Sequence, residues 1–452
     1  MSLASPALPI AFDQTQRRHL PAADRWLTLL LVAVLLGPVG QVGLGGSRMT
    51  LFWSDLTMIP IVIGLAFKQH LAIPRAVWWY TLYLLVVFVS LRMNDEPTRN
   101  FVILLKLEVA PLLVLIFVYN YATRERATRA LIVQLVWFGA ALAVITMINW
   151  VRIQNGAIGP YYHPDRVMVL TAKDAAQTSF GRSNYIASML IVLIPLALYK
   201  TAKAKTAWGA VAAMLVALIA TQSRGGLISL AVAFLVWLGL SLRYLPSSLK
   251  TLVGLAGRVM VCLAVLIAVW RYLPNTITAD FAKRLVETRE HVASGDYAGN
   301  RRGAWIPAAM HVLDAPLVGI GYGNEEANPT ALDMNAGSAH NLYLQVLLAT
   351  GVLGFIPLGL FLWSCGAAWF GILRSSLVME DRALAAAALF LFTACLINSF
   401  EEPSFWGLEY SRVLWIILGL GFVIRHRRIS SGQYRVTHRP SGMTAPQAGL
   451  AS

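Results

Sequence analysis

Charge is scarce in this sequence. Only 13% of its 452 residues are charged, whereas 57% are hydrophobic. Soluble domains carry about 25% charged residues, so the composition excludes an ordinary soluble enzyme. With 14 Trp, 15 Tyr and 18 Phe as well, it predicts an all-α polytopic membrane protein.

Metal-ligand patterns are also scarce. The three cysteines lie in apolar runs, fit no metal spacing and predict no disulfide: Cys262, Cys365 and Cys395. No Asp-x-Asp motif occurs, and carboxylate doublets on the predicted outer side are limited to Asp95-Glu96, Glu325-Glu326 and Glu401-Glu402. Metal-dependent glycosyl or phosphoryl transfer usually needs clustered carboxylates. We therefore expect no metal and no other cofactor.

Long apolar runs are abundant. A membrane span needs roughly 17–25 such residues, and about twelve candidates occur. They cover residues 27–44, 51–67, 76–91, 101–119, 131–151, 183–199, 207–221, 225–242, 252–271, 341–373, 383–400 and 406–424. The first run has no small-residue cleavage site after it and is predicted to be a retained helix. The tenth is too long for a perpendicular span and is expected to bend near Gly351, Gly354 and Pro357.

Basic residues predict the orientation of these spans. An even number of spans leaves both termini on one side, and 21 Lys and Arg residues fall in that side's compartments. The short loops opposite hold four: Arg48, Arg92, Arg99 and Arg224. The basic side is therefore predicted to be cytoplasmic. The net charge of +15 indicates topology and contact with anionic membrane lipid, and no nucleic-acid partner.

The predicted organisation has five parts. A cytoplasmic tail (residues 1–25) precedes spans 1–9 (26–271), a large outer loop region (272–340), spans 10–12 (341–424) and a basic, disordered cytoplasmic tail (425–452). In the outer region, ITADFAKRLVETREHV and WIPAAMHVLD have helical spacing. GIGYGN is interpreted as a turn, because a phosphate loop would need a preceding strand and a following GK[ST].

His340 is the first candidate functional residue. It lies on the predicted outer side where span 10 begins, and Ser338 is expected to cap that helix. A helix N-terminus disfavours a cation, so the neutral imidazole is favoured there. Its free lone pair can accept a proton, as a general base must. The alternative is a histidine that only anchors the helix at the interface.

Arg224 is the second candidate. It begins span 8, after Ser223 and before Gly225-Gly226. A cation there opposes the helix dipole by about 0.3–1 kcal/mol, which an anionic ligand would offset. Arginine binds phosphate through a rigid fork, and the glycines would let a ligand approach the backbone. An interfacial anchor is the alternative, and it explains the charge but not the glycines.

Two further basic groups are candidates. Arg301 and Arg302 precede Trp305 and are interpreted either as ligands of a phosphate or acidic sugar or as solvated loop charges. Lys106 lies inside a span with Glu108, two residues away, at a depth where charges are usually functional.

Lys106 has two interpretations. Its stem can extend outward to a phosphate. Alternatively, it is neutralised by pairing among the embedded charges that include Asp55, Glu409 and Arg412. Glu108 is not an ideal partner, because residues two apart do not share a helix face.

Together these residues predict an anion-handling site with a base on the outer side. Such a site suits a lipid-linked diphosphate donor whose tail lies among the spans. The base would deprotonate an acceptor hydroxyl while the arginines stabilise the departing diphosphate. The predicted reaction class is glycosyl transfer, and the residues alone name no sugar.

Several motifs resemble one family. The pattern His340-Asn341, nine residues, Gly351, two residues, Gly354 resembles the signature of the O-antigen ligases. SRGG at 223–226, Arg301-x-x-x-Trp305 and PLVGIGYGN at 316–324 are similar to that superfamily as well. The order and spacing run from about residue 180 to 360, with the predicted spans around them.

The resemblance implies a specific activity. Such enzymes transfer O-antigen glycan from undecaprenyl diphosphate to lipid A–core oligosaccharide, on the periplasmic face of the bacterial inner membrane. They have a GT-C-like fold, invert the anomeric centre and need no metal. By motif, His340 would be the base and Arg224 and Arg301 would contact diphosphate. The family motif usually has a single arginine at this place, whereas this sequence has Arg301 followed by Arg302. Which of the two contacts the diphosphate stays open.

Two other residues enter through the same resemblance. Asn341 would orient the histidine or the acceptor. Asn184 matches a recurrent asparagine but receives no role.

Other functions stay open. An O-antigen polymerase shares the donor but uses a second lipid-linked repeat as acceptor, and a protein O-oligosaccharyltransferase uses a protein serine. A transporter or flippase with His340 as proton relay is an alternative of another class. Inverted repeats and paired broken spans would favour it, and no convincing repeat is present. The oligomeric state is not predicted.

Overall fold

The part of the chain that the structure describes is α-helical apart from one β-hairpin. The computed structural model describes residues 22–36, 38–44, 47–68, 70–93, 97–155, 176, 178, 183–245, 254, 257, 286, 302–324, 339–402 and 410–434. The helical class predicted from composition is confirmed for these residues.

The helices are numbered here in chain order. They are α1 (Ala22–Leu36), α2 (Trp53–Leu56), α3 (Met58–Ala66), α4 (Ala76–Ser90), α5 (Pro97–Leu104), α6 (Ala110–Tyr121), α7 (Glu125–Gln154), α8 (Ser183–Thr201), α9 (Ala207–Ala220), α10 (Arg224–Tyr244), α11 (Arg302–Asp314), α12 (Leu342–Ser375), α13 (Met379–Asn398) and α14 (Tyr410–Ser430). A 3₁₀ turn, Leu91–Met93, follows α4, and a π-helical segment, Leu105–Val109, joins α5 to α6.

Six of the described helical segments are long and apolar enough to cross a membrane. They begin at Ala76, Asn100, Glu125, Ser183, Arg224 and Leu342. Three shorter apolar helices, Arg25–Leu36, Trp53–Ala66 and Ala207–Ala220, coincide with predicted spans. The ninth predicted span, 252–271, lies outside the described residues apart from two positions. The number twelve therefore stays a prediction.

The first two predicted spans are interrupted by a hairpin. Helix α1 ends at Leu36, and strands β1 (Pro38–Leu44) and β2 (Ser47–Phe52) pair antiparallel, with Leu44 opposite Ser47. The prediction that span 1 runs to residue 44 and span 2 starts at 51 was wrong at these ends. Pro38 stops the helix, and the glycines that follow it make a helix costly.

The bend predicted in α12 is confirmed at Gly351. This residue has φ 60° and ψ −163°, and helical geometry resumes after it. The amides of Val352 and Leu353 donate instead to the carbonyls of Pro316 and Leu317, at 2.9 and 3.2 Å. In the other direction, the carbonyls of Leu348 and Ala349, freed by the bend, accept from the next loop residues, Ile320 and Gly321. The glycine-rich segment 316–321 thus closes the gap in the helix, which explains the spacing of both motifs.

Contacts between helix ends fall into two groups. At one end, Glu380 lies 3.1 Å from Arg129 and 2.6 Å from Lys203. At the other, the loop after α13 meets the starts of α8, α10 and α12, as described below. Ends predicted to share a side of the membrane therefore contact one another.

Candidate active site

His340 lies directly before α12. The N-cap of that helix is Asn341, whose Oδ1 accepts from the amides of Tyr343 and Leu344 at 3.0 and 3.1 Å. The prediction of Ser338 as N-cap was wrong, because the helix begins at Leu342, three residues too late for a serine at 338 to reach it. Asn341 uses its side-chain oxygen to hold the helix start, which leaves its NH₂ group to face other partners.

A carboxylate accompanies His340. Its Nδ1 lies 3.6 Å from Oε2 of Glu402, and the side chains are 38% and 6% exposed. Oε1 of Glu402 accepts a hydrogen bond of 2.6 Å from Nδ2 of Asn184. The spacing from the imidazole exceeds a formed hydrogen bond, as is common before substrate binds. Asn184 therefore fixes Glu402, and Glu402 faces the nitrogen whose protonation sets the tautomer of His340.

Backbone and side-chain bonds hold this arrangement in place. The amide of Leu342 donates to the carbonyl of Ser399 at 2.9 Å, which ties the start of α12 to the loop after α13. Asn398, at the end of α13, donates through Nδ2 to Oγ of Ser188 on α8 at 2.8 Å. Ser188 in turn donates to the carbonyl of Asn184. Three helices thus fix the positions of the imidazole and its carboxylate.

Arg224 begins α10 beside the same loop. Its N-cap Ser223 accepts from the amide of Gly226 at 3.3 Å. A Cβ atom on Gly225 would lie 2.0 Å from Oε2 of Glu401. Because Glu401 precedes Glu402, the start of α10 and His340 contact two consecutive residues. The structure therefore brings the two leading sequence candidates to one loop.

The glycines after Arg224 have a different role from the one predicted. Gly225 leaves room for the Glu401 carboxylate, and a Cβ atom on Gly226 would lie 3.1 Å from Cβ of Ala187 on α8. Both therefore accommodate the protein's own atoms. The carboxylate at the helix start also supplies an anion close to the dipole, so the presence of Arg224 there does not by itself demand an anionic ligand.

Backbone strain concentrates at this site. Of the described residues other than glycine, only Gln222 (φ 49°) and His340 (φ 46°) have left-handed φ. Gln222 is 2% exposed, and neither polar atom of its amide has a hydrogen-bond partner among the described residues. Strained backbone and an unsatisfied buried amide are features typical of ligand sites. Nothing in the sequence distinguishes Gln222 beyond its place directly before SRGG.

Gly225→Ala is expected to destabilise the protein by about 1–3 kcal/mol, because the added Cβ atom displaces the Glu401 carboxylate from the start of α10 and lies only 3.2 Å from the Cβ atom of Glu401. The control is Gly209→Ala in α9, where no described atom lies within 4 Å of the added Cβ atom and the helix should gain slightly. Thermal unfolding of both detergent-purified variants measures the difference. Equal melting temperatures would contradict the close packing at Gly225.

The arginine pair is only partly placed. Arg301 and the side chain of Arg302 lie outside the described residues, although α11 begins at Arg302. Ala308 of α11 is buried with Ala339 and Leu348 in one cluster. Since Ala339 precedes His340, α11 packs against the segment that carries the imidazole.

Lys106 lies in a separate cluster. Its Nζ is 3.3 Å from Oδ2 of Asp55 and 4.2 Å from the centre of the Phe52 ring. Asp55 also accepts from the buried Arg412. Pairing among embedded charges, the alternative weighed for Lys106, is what these contacts show.

Glu108 has a third environment. It is 1% exposed in the π-helical segment. Its carboxylate accepts from the hydroxyls of Tyr80, Tyr83 and Tyr322 at 2.5, 3.4 and 3.2 Å. Tyr322 belongs to the GIGYGN turn, so this buried carboxylate anchors the segment that supports the bend of α12.

Residues 209–359 match the family model described as O-antigen ligase, which confirms the resemblance drawn from the motifs. No curated protein matches the chain. The matched segment contains Arg224, His340 and Gly351, whereas Asn184 and the Glu401-Glu402 pair lie outside it. The carboxylate partner of His340 therefore comes from a part of the chain that the family match does not cover.

Proposed function

We propose that this chain, whose residues 209–359 match the O-antigen ligase family model, transfers O-antigen polysaccharide from undecaprenyl diphosphate onto lipid A–core oligosaccharide. The proposed location is the periplasmic face of the bacterial inner membrane. The observation that carries the proposal is the order Asn184–Glu402–His340 beside the start of α10. In this proposal, His340 is the base, Glu402 orients it, and Arg224 at the start of α10 lies beside the same loop.

The proposed reaction is a single displacement. His340 accepts the proton of the acceptor hydroxyl through Nε2, while Glu402 faces Nδ1 and stabilises the imidazolium that forms. The acceptor oxygen bonds to the anomeric carbon from the side opposite the diphosphate. The bond from that carbon to the diphosphate oxygen breaks, and undecaprenyl diphosphate leaves with the electron pair. The anomeric configuration is inverted.

Arginines stabilise the leaving group in this proposal. Arg224, with Arg301 or Arg302 from the start of α11, donates to the diphosphate as its negative charge grows. Guanidinium groups can carry this charge without a metal. The NH₂ group of Asn341 faces the acceptor. Lys106 forms an ion pair with Asp55. In this proposal it contacts the diphosphate of the glycan donor only after that ion pair has broken.

Lipopolysaccharide from a strain that lacks its own O-antigen ligase tests the proposal. Expression of this chain should restore the ladder of long glycans on lipid A–core. If the chain were a polymerase, its deletion from its own strain would leave lipid A–core capped with one repeat. If it were a protein oligosaccharyltransferase, it would glycosylate periplasmic proteins. Purified protein in detergent should also join donor to acceptor, which a transporter cannot do. A bare core despite full membrane expression would refute the ligase assignment.

Arg224→Lys is expected to weaken donor binding about tenfold, because it keeps the charge but loses the two-pronged contact with phosphate oxygens. The measured quantity is the KM for the lipid-linked donor with purified protein. Arg92→Lys, an exposed arginine on the same predicted side, is the matched control. An unchanged donor KM in Arg224→Lys would remove Arg224 from the diphosphate site.

A further inference from the structure

A cavity lies along the half of α12 that is farther from His340. It has a volume of about 1130 Å³ and runs between α12, α13 and α14. Along α12 its lining extends from Gly359 to Ser375, a length of roughly 24 Å at 1.5 Å per residue. The walls are mostly apolar. The cavity therefore spans from the predicted cytoplasmic face to beyond the middle of the membrane.

Glycines shape the wall that α12 contributes. No described atom lies within 4 Å of a Cβ atom placed on Gly359, so this position faces open space. A Cβ atom on Gly366 would lie 3.1 Å from the Phe392 ring. One on Gly371 would lie 2.5 Å from the hydroxyl of Tyr434. Gly359 thus opens onto the cavity, which is called the groove below, whereas Gly366 and Gly371 make room for Phe392 and Tyr434, which also line it.

The end of the groove at the predicted cytoplasmic face is basic. Arg374 and Arg425 both line it, beside Tyr434. The Nε of Arg425 is buried without a hydrogen-bond partner, and the described part of the chain places no acidic side chain in an ion pair with either arginine. The neighbouring Arg428 differs, because it pairs with Asp381. The two groove arginines thus present uncompensated donors beside an apolar cavity.

We propose that this groove binds an anionic phospholipid of the leaflet on that face. The acyl chains lie in the apolar part of the groove beside Gly359, and the phosphate accepts hydrogen bonds from Arg374, Arg425 and the Tyr434 hydroxyl. Basic pockets between membrane helices on the cytoplasmic side favour anionic lipid headgroups. The groove also exceeds half of the roughly 30 Å hydrocarbon thickness, so one leaflet's chains fit within it. The site is independent of the proposed glycosyl transfer.

Lipid binding by full-length, delipidated protein in neutral detergent tests this. Phosphatidylglycerol added to the micelles should raise the melting temperature and remain bound in native mass spectrometry, whereas phosphatidylcholine should do neither. Arg374→Ala/Arg425→Ala should weaken phosphatidylglycerol binding at least about tenfold. Arg126→Ala, an exposed arginine on the same predicted face, should leave it unchanged.

A second variant separates binding from folding. Gly359→Leu leaves both arginines intact and fills the groove where no described atom lies within 4 Å, so it should also abolish the phosphatidylglycerol effect. Unchanged binding in this variant or in the double variant would overturn the proposal. So would the same stabilisation by inorganic phosphate alone, which would indicate a simple anion site. Preferential retention of undecaprenyl phosphate over phosphatidylglycerol would overturn it in favour of a polyprenyl site.

Discussion

His340→Ala is expected to lower the turnover of glycan transfer about a thousandfold, the usual contribution of a positioned general base. The imidazole is 38% exposed and faces Glu402, so it is both reachable by an acceptor hydroxyl and oriented by a carboxylate. Binding of the lipid-linked donor should persist, because the arginines are intact. Transfer by purified protein and donor binding are measured on the same preparation.

Two companion variants make the result specific. His70→Ala removes an exposed histidine in the segment after α3 and should leave transfer unchanged. Glu402→Gln should lower kcat about a hundredfold with little change in the donor KM, because a neutral amide does not stabilise the imidazolium. A purely structural Glu402 would instead show a lower melting temperature at unchanged kcat. Full transfer by His340→Ala would eliminate His340 as the base.

Gly351→Ala is expected to prevent accumulation of folded protein. Gly351 occupies a region of φ and ψ that is essentially restricted to glycine, and holding a residue with a side chain there costs about 1–3 kcal/mol. An added Cβ atom would also lie 2.3 Å from the backbone carbonyl of Leu317. Backbone cannot rotate away as a side chain can, so α12 and segment 316–321 must separate. The measurement is the yield of monodisperse protein and its melting temperature.

Gly239→Ala in α10 is the matched control. It meets no described atom within 4 Å and replaces a poor helix former by a good one, so stability should be unchanged or slightly higher. A Gly351→Ala protein with the yield and melting temperature of the Gly239→Ala protein would show that the bend tolerates a side chain. In that case the hydrogen bonds between segment 316–321 and α12 would not be needed for folding.

The sequence predicted what is local and missed what is distant. The bend at Gly351 was visible because glycine, glycine and proline follow one another in a run too long to stay straight. Its pairing with segment 316–321 was not, because the backbone bonds join residues that side-chain patterns do not relate. The hairpin was missed because its apolar residues extend the apolar runs on either side, so hydropathy alone assigns them to the neighbouring membrane spans.

The same division holds for the site. His340 and Arg224 were found from their positions at helix starts on the predicted outer side. Glu402 and Asn184 were noticed, but neither was linked to His340, since their separation along the chain exceeds 60 and 150 residues. The partner of Lys106 likewise depends on α2, which hydropathy placed inside a continuous span. Ion pairing across helices is set by packing, and one sequence does not specify it.

The bend in α12 has a mechanical consequence. A glycine within a membrane helix is often interpreted as a flexible hinge. Here, however, the backbone groups on both sides of Gly351 form hydrogen bonds with segment 316–321. The part of α12 before Gly351 and the segment 316–321 that follows α11 should therefore move together as one rigid unit. Amide hydrogen exchange tests this. The backbone amides of Ile320, Gly321, Val352 and Leu353 should exchange at a common rate, because they become exposed in one opening event.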